Sequence, residues 1–218
     1  MKASSQTDSR ILLGTIAVLL ACASGAGAYT VNLTPKNPRT IYLQVGVGTF
    51  TGGNYQQGGS PATNPLVNLV SVTVPAAQVG NGTAQTMTTN STASQSLYDS
   101  FAFCNLPNQL YVGGFYRSTN GSAGSATATL VANVPASLVS AGGRTIPFSQ
   151  ISWTSSGNGD AGGQPFPGGT FVAGGTQTIG TINRNEWAES CHTFSYSNAA
   201  VAPAGTYTGR VTYTLSAP

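Results

Sequence analysis

The chain has 218 residues, of which 28 are Gly and 12 are Pro, and its 8 basic and 5 acidic residues make up only 6% of the whole. An average soluble domain carries about 25% charged residues, so this composition excludes a charge-stabilised helical bundle, whose exposed faces need Glu, Lys and Arg. A formal net charge of +3 without a cluster of Lys or Arg argues against nucleic-acid binding. The 40% hydrophobic content is enough for a core, and an all-β protein rich in Thr and Gly remains.

The first 28 residues have the pattern of a secretory signal peptide. Lys2 and Arg10 precede an apolar run over residues 11–23, and small residues ending at Ala28 follow it. The apolar run is too short to span a bilayer, which takes about 20 residues. We therefore expect cleavage after Ala28, export, and a mature chain of residues 29–218 without a membrane span.

A second processing route stays open. Residues 19–22 resemble a bacterial lipoprotein signal, which would leave a lipidated Cys22 at the new N-terminus. Leu20 is a less usual residue in that signal, and this favours cleavage after Ala28.

The mature chain is predicted to be one domain of about ten strands separated by polar and Gly-rich loops. Apolar and polar residues alternate at period two, as half-buried strands require, and helical periodicity is not found outside the signal. The predicted strands cover residues 29–34, 40–50, 66–74, 97–106, 109–117, 126–134, 145–153, 170–173, 176–182, 186–196 and 205–216. Strands 97–106 and 109–117 are expected to form a hairpin around Pro107 and Asn108. This spacing of strands and turns favours a two-sheet β-sandwich.

The two ends of the mature chain show clear alternation. In the first strand one face is apolar and carries Tyr29, Val31 and Leu33, and Pro35 and Pro38 end the strand. In the last strand one face is also largely apolar, and its large side chains are Tyr207, Val211, Tyr213 and Leu215.

The cysteines support export. Removal of the signal leaves Cys104 and Cys191 as an even pair, so we predict a structural disulfide between them. The bond would close a loop of 88 residues, which is worth roughly 4.5 kcal/mol in the chain-entropy account. The alternative is two buried free thiols.

No metal or cofactor is expected. With His192 these cysteines do not complete a zinc shell, and residues 157–160 resemble only one unit of a stacked calcium-binding repeat.

Titratable groups are too few to favour catalysis. His192, the single histidine, follows Cys191 in a strand, so the two side chains point to opposite faces and cannot form a dyad. We expect a surface histidine. Glu186 and Glu189 flank Trp187, and their spacing also places them on opposite faces. The protein is therefore predicted not to be an enzyme.

One predicted hairpin strand is crowded with aromatic residues. Tyr111, Phe115 and Tyr116 precede Arg117, and Tyr and Arg are common at interfaces. Alternation places Tyr111 opposite Tyr116, so part of this set must face the core. Core packing is favoured for Tyr111 and Phe115, and both alternatives stay open for Tyr116.

The C-terminal strand carries a resemblance to a known family. Residues 203–207 read Pro-Ala-Gly-Thr-Tyr, and an alternating Thr strand continues from them to Leu215. This segment resembles the last strand of chaperone–usher pilus subunits, closest to the spore-coat-U-like or archaic branch. The resemblance implies an incomplete immunoglobulin-like sandwich, export through the periplasm, and assembly into a fimbria on the cell surface.

The same resemblance implies partners. A periplasmic chaperone would pair with the C-terminal strand through the face of Tyr207, Val211, Tyr213 and Leu215. An outer-membrane usher would then exchange the chaperone for the N-terminal strand of another pilus subunit. Such subunits carry their donor strand after the signal, where this chain has residues 29–34.

The alternation of the first strand agrees with that role. Tyr29, Val31 and Leu33 are spaced two apart, as needed to fill successive pockets between two sheets. We therefore predict that this segment acts between molecules as a donor strand. The alternative is that it pairs within its own sandwich as an edge strand.

Two departures from the family leave room for a minor or tip subunit and also keep a second function open. The mature chain of 190 residues is longer than the usual major subunit, and Cys104 and Cys191 do not match an early disulfide. The alternative function is a monomeric secreted binding module, for carbohydrate or surface adhesion, that uses aromatic residues near Trp153 or Trp187.

Overall fold

The structure is a computed structural model that describes residues 30–64, 66–119, 126–158 and 162–218. The predicted signal peptide, Cys22, Tyr29 and the end of the repeat-like segment 157–160 lie outside the described residues. Nearly all regular structure in the described residues is β-strand, with two 3₁₀ turns at Ala76–Gln78 and Phe148–Gln150. The strands are β1 (Thr30–Asn32), β2 (Thr40–Val45), β3 (Thr49–Thr51), β4 (Ser60–Ala62), β5 (Val70–Ser71), β6 (Gln85–Thr86), β7 (Thr88–Thr89), β8 (Leu110–Arg117), β9 (Thr127–Val134), β10 (Ser137–Ser140), β11 (Thr145–Pro147), β12 (Ile151–Ser156), β13 (Gly169–Thr170), β14 (Gly175–Asn183), β15 (Glu186–Tyr196), β16 (Tyr207–Thr208) and β17 (Thr212–Ser216).

The larger sheet is antiparallel and is organised around β15. Its strand order is β13-β12-β15-β8-β2, and β15 is long enough to take two partners on each edge. One edge pairs with β1 at residues 186–188 and with β12 at residues 191–196. The other edge pairs with β8 at residues 186–190 and with β6 at residues 195–196. Strand β2 lies at the end of the sheet, beyond β8.

The C-terminal segment joins two smaller sheets. Strand β16 pairs with β10 of the sheet β11-β10-β16, and β17 pairs with β9 of the sheet β14-β9-β17. Between the two strands lies Gly209, where a Cβ atom would fall 2.5 Å from Cε2 of Phe148. A side chain does not fit at this position, so glycine lets the chain pass over the Phe148 ring as it changes partners.

The main core lies between these sheets, so the protein is an all-β sandwich, as the sequence predicts. In β8 the even-numbered residues Leu110, Val112 and Tyr116 face this core, with Val112 fully buried. Tyr111 and Phe115 are also buried, and they belong to two smaller clusters on the outer face of the larger sheet. The long polar segment between β2 and β8 covers this outer face, and its apolar residues pack against the sheet.

Several strand bounds differ from those predicted. The strand at 186–196 is confirmed, but 97–106 contains no strand and only an isolated bridge joins Gln95 to Ala102. The predicted hairpin around Pro107 and Asn108 is therefore wrong.

Two other predicted strands are shorter in the structure. The strand predicted at 40–50 ends at Val45 because Gly46 turns the chain with a φ of 76°. The segment at 66–74 keeps only β5 as a strand.

The predicted disulfide between Cys104 and Cys191 is confirmed. Their Cα atoms are 5.5 Å apart, and both residues are buried in an outer-face cluster with Phe103 and Tyr111. The bond ties the loop before β8 to the middle of β15. The loop before β8, which forms no strand around Cys104, is thus linked covalently to the larger sheet.

Replacement of both cysteines by Ala should lower the free energy of unfolding by roughly 4 kcal/mol, because the unfolded chain regains the freedom that the closed loop removes. Denaturant unfolding of the variant and the wild type measures the difference. Thiol labelling of the non-reduced wild type should give no modified cysteine in the mature chain, and two labelled thiols would contradict the assignment.

Candidate assembly site

The edge strands β2 and β17 meet on one side of the sandwich. Each is the last strand of its sheet, and among the described residues neither has a hydrogen-bonded strand on its outer side. Their Cα atoms approach within 8 Å. At one end Nη1 of Arg39 donates a hydrogen bond of 3.3 Å to the carbonyl oxygen of Ala217. Two free strand edges, one from each sheet, therefore border the same opening.

Apolar side chains along this opening are incompletely covered. The inward positions of β2 are Ile41, which is 45% exposed, and Leu43 and Val45, which are half-buried. Their neighbours across the ladder in β8 are much better covered, since Tyr116 opposite Ile41 is only 2% exposed. The inward side chains are thus incompletely covered at the edge strand β2, whereas those of the neighbouring strand β8 are buried.

The single strand predicted at 205–216 is divided into β16 and β17, which belong to different sheets, but the segment keeps the predicted alternation. Its threonines are exposed, whereas the apolar face is more buried and comprises half-buried Tyr207, Val211 and Tyr213 together with buried Leu215. Burial raises the pKa of Tyr213 well above its usual value. Pairing of this strand with a chaperone stays a prediction.

A crevice and an apolar segment border β2. The crevice holds about 170 Å³ and lies between residues 42–45 and a wall that includes Ala62, Asn64 and Leu66. Beyond it, Leu66 and Val67 are each 64% exposed. The surroundings of β2 therefore offer backbone groups and apolar side chains, which are the groups that recognise an extended peptide.

The predicted donor segment pairs with its own molecule in this structure. Thr30, Val31 and Asn32 lie opposite Ala188, Trp187 and Glu186 of β15, respectively. The N–H of Leu33 donates to the carbonyl of Asn185 at 2.7 Å, and Val31 and Leu33 pack into the cluster around Trp187. This is the edge-strand arrangement given above as the alternative. Donation to another molecule stays a prediction, and Tyr29 lies outside the described residues.

The aromatic residues that could form a binding face are mostly internal. Tyr111, Phe115 and Tyr116 are all buried, as are Trp153 and Trp187. Tyr111 and Tyr116 face opposite sides of the sheet, as alternation predicts. The two tryptophans thus serve as core residues and do not form an exposed platform.

A half-exposed pair of tyrosines lies above Trp187. The rings of Tyr55 and Tyr98 are stacked with centroids 5.9 Å apart, and the guanidinium of Arg117 lies 5.7 Å from the centroid of Tyr55. Each tyrosine also contacts Trp187, with centroids 5.4 and 5.8 Å from its ring. Sequence periodicity did not reveal this pair, because both residues come from loops.

Glu189, which the sequence analysis considered only as a possible partner of Glu186, is fully buried. Its Oε2 accepts hydrogen bonds from Oγ of Ser96 at 3.0 Å, from Nε1 of Trp187 at 2.9 Å and from the hydroxyl of Tyr111. Its Oε1 is buried without a hydrogen-bond partner. Burial raises the pKa of Glu189 to about 7, although the three hydrogen bonds act in the opposite direction.

The neighbour of Glu189 across the ladder makes this arrangement possible. Gly113 lies opposite Glu189, and a Cβ at Gly113 would fall 2.4 Å from the hydroxyl oxygen of Tyr111. Because Gly113 has no side chain, the Tyr111 ring can lie over it and reach the carboxyl group of Glu189. The Gly-Gly pair in the middle of β8 was the sequence signal for this close approach.

The expectation of a surface histidine is wrong. His192 is fully buried in the main core, where its ring stacks near Trp153 with centroids 5.9 Å apart. Its Nε2 lies 3.1 Å from the carbonyl oxygen of Phe166. Burial lowers the pKa of His192 to about 4, so the ring is neutral near pH 7. Cys191 points to the opposite face, as predicted, and the two residues form no dyad.

Within the described ranges, no three side chains of His, Cys, Asp or Glu come close enough together to hold a metal ion. Glu186 and Glu189 lie on opposite faces of β15, as predicted, and Glu186 accepts a hydrogen bond of 2.9 Å from Nδ2 of Asn183. A search of the described residues for a helix with the length and hydropathy of a membrane span found no candidate.

Comparison of the chain with protein-family models, with curated proteins and with solved structures found no match.

Replacement of Glu189 by Gln should change how stability depends on pH. Because the folded-state pKa of about 7 exceeds the ordinary value of 4.5, the folded protein binds more protons than the unfolded chain between these pH values. The contribution of Glu189 to stability is therefore full below pH 4.5 and is lost as the pH rises to 7. The stability of Glu189→Gln relative to wild type should rise by about 3 kcal/mol across that range.

Denaturant unfolding at pH 4.5, 5.5, 6.5 and 7.5 measures the difference. His192→Asn is the matched control, and its effect should have the opposite sign. The pKa of His192 is lowered from 6.5 to about 4 in the folded state, so its contribution to stability is lost as the pH falls through this range. A constant difference between Glu189→Gln and wild type at every pH would show that Glu189 does not titrate as described.

Proposed function

We propose that the protein is a secreted structural subunit of a bacterial surface pilus and that it polymerises by donor-strand exchange. The observation that carries the proposal is the opening between β2 and β17, where two unpaired strand edges flank incompletely covered core residues. A free sheet edge is a hazard for an exported protein unless another strand covers it. A neighbouring molecule would cover this edge and extend a fibre in the same step.

The strand order has the number of strands of an immunoglobulin-like sandwich. The larger sheet contains β2-β8-β15-β12 in that order, and the facing sheet contains β17-β9-β14. In a constant-type immunoglobulin domain four strands face three, and the last strand of the chain completes the edge of the three-stranded sheet. Strand β17 takes that edge position here, so a strand donated by another molecule would enter between the facing edges of β2 and β17.

The groups at the opening suit an alternating donor. An extended peptide gains affinity from main-chain hydrogen bonds and specificity from alternate side chains that enter pockets. The inward residues of β2 repeat every second residue, and Ile41 is 45% exposed whereas Leu43 and Val45 are half-buried. The segment of Tyr29, Val31 and Leu33 has the same period and could cover them.

The donor also requires the opening to widen. A strand hydrogen-bonded to two neighbours holds them about 9.6 Å apart, whereas β2 and β17 approach within 8 Å at their closest points. The hydrogen bond between Arg39 and Ala217 spans this gap. We therefore infer that the edges separate by a few ångström when a strand enters, which exposes more of the half-buried Tyr213.

The same opening explains the proposed partners. A chain with an uncovered core edge would need protection during export, and a periplasmic chaperone that adds its own strand beside β17 would provide it. At an outer-membrane usher the donor segment of another subunit would then replace the chaperone. This route implies export through the periplasm and a final location in a fimbria at the cell surface.

Deletion of residues 29–34 should abolish fibre extension and leave a folded protein that binds a synthetic peptide of the same residues. The deletion removes the proposed donor but leaves both edge strands in place. Size-exclusion chromatography and electron microscopy report extension, and isothermal titration reports peptide binding. A peptide with Val31→Asp and Leu33→Asp is the matched control and should not bind.

Two outcomes would count against the proposal. One is a truncated protein that assembles as well as the wild type. The other is a truncated protein that is unfolded by circular dichroism, since the segment would then be an integral strand of its own domain.

The second candidate is a monomeric secreted binding module for carbohydrate or surface adhesion. The pairing of β1 with β15 favours it, because a segment satisfied within its own molecule need not join another. The half-exposed Tyr55 and Tyr98 beside Arg117 would form its binding surface. A mature wild-type protein that stays monomeric at high concentration, and binds glycans only while Tyr55 and Tyr98 are intact, would favour this function.

A further inference from the structure

We propose that the N-terminal strand is held in reserve on its own molecule, and that its release from the edge of β15 controls donor-strand exchange. The inference rests on the proposed function, because it concerns the same donor segment. It goes further in assigning that segment a resting position and in naming the contacts that keep it there.

Backbone contacts define the resting position. Three residues of β1 pair in register with residues 186–188 of β15. The ladder continues through the N–H of Leu33, which donates to the carbonyl of Asn185 at 2.7 Å. Nε of Arg117 then donates to the carbonyl of Thr34, also at 2.7 Å. These two contacts extend the short ladder at its C-terminal end and hold the segment there.

The side chains needed for donation are occupied at this position. Leu33 is only 8% exposed and belongs to the cluster of Phe115 and Trp187, and Val31 packs against the same cluster. The same two side chains cannot fill pockets at the edge of another molecule while they pack here. Resting and donating are therefore mutually exclusive states of one segment.

The geometry allows the segment to leave. Strand β1 has only three residues, and an isolated pairing of that length is weak. Residues 34–39, which link it to β2, are all exposed and form no strand, and they include Pro35 and Pro38. Because this link is exposed and packs on no strand, β1 can leave β15 and point in another direction while the larger sheet stays unchanged.

The resting position also lies away from the acceptor edge. Strand β1 occupies the edge of β15 that faces away from β8, whereas the free edge belongs to β2 on the far side of β8. The departure of β1 therefore leaves the opening between β2 and β17 unchanged. A molecule can hold its own donor in reserve and still accept the donor of another molecule.

A disulfide lock tests the inference on the exported protein. Asn32 and Glu186 are partners across the ladder, so the variant Asn32→Cys/Glu186→Cys should link β1 to β15 when oxidised. We expect the locked protein to be folded and at least tenfold slower in fibre extension than the wild type. Mild reduction should restore extension, because the native Cys104–Cys191 bond is buried and resists it. Each single-cysteine variant is a control for the substitutions themselves.

A loosening variant tests the opposite direction. Arg117→Gln removes the hydrogen bond to Thr34 without changing the donor residues or either edge strand, and it should speed extension roughly fivefold, the equivalent of one ordinary hydrogen bond. Arg144→Gln is the matched control, since Arg144 lies in the exposed turn between β10 and β11. Its extension rate should equal that of the wild type.

The outcomes separate the inference from the proposed function. If the locked protein extends fibres at the wild-type rate, or if Arg117→Gln leaves the rate unchanged, the reserve position is wrong while the fibre function stands. If the wild type itself forms no fibres, even with a fibre seed, the proposed function fails and the inference fails with it.

Discussion

The pairing of β15 on both of its edges is the interaction on which the rest of the structure depends. Its eleven residues take β8 and β6 on one edge and β1 and β12 on the other. One face supplies His192 and Phe194 to the main core, and the other carries Glu189 and Cys191 under the outer loops. The disulfide from Cys191 therefore fixes the long connection before β8 to the most completely paired strand of the molecule.

Completeness of pairing falls with distance from β15. Strand β8 is paired on both sides, whereas β2, one step further out, has an edge that pairs with no strand of the described residues, and so has β17 in the facing sheet. Burial follows the same gradient, from Val112 with no exposed surface to Ile41 with 45%. In a chain with few charged residues, little else discourages association at such an edge. The proposed fibre function follows from this uneven distribution of hydrogen bonds and burial.

Period-two alternation predicted the β15 bounds, the buried face of β17 and the opposite placement of Tyr111 and Tyr116, since these depend on local pattern alone. It failed for residues 97–106, where a covalent bond from Cys104 and loop contacts determine the conformation. Buried Glu189 could not be predicted, because its pocket depends on the register that sets Gly113 opposite it. Alternation also identifies the apolar face of residues 29–33 but not the strand it pairs with, so pairing within the molecule stayed open beside the predicted donation to another molecule.

The central claim is that a neighbouring molecule supplies the strand missing between β2 and β17. The most direct measurement is a structure of the assembled fibre by electron cryo-microscopy, at a resolution that shows side chains. The account predicts that Tyr29, Val31 and Leu33 of one subunit lie between β2 and β17 of the next, over Ile41 and Leu43. A fibre in which every β1 remains paired with its own β15, and the opening between β2 and β17 is unfilled, would contradict the account.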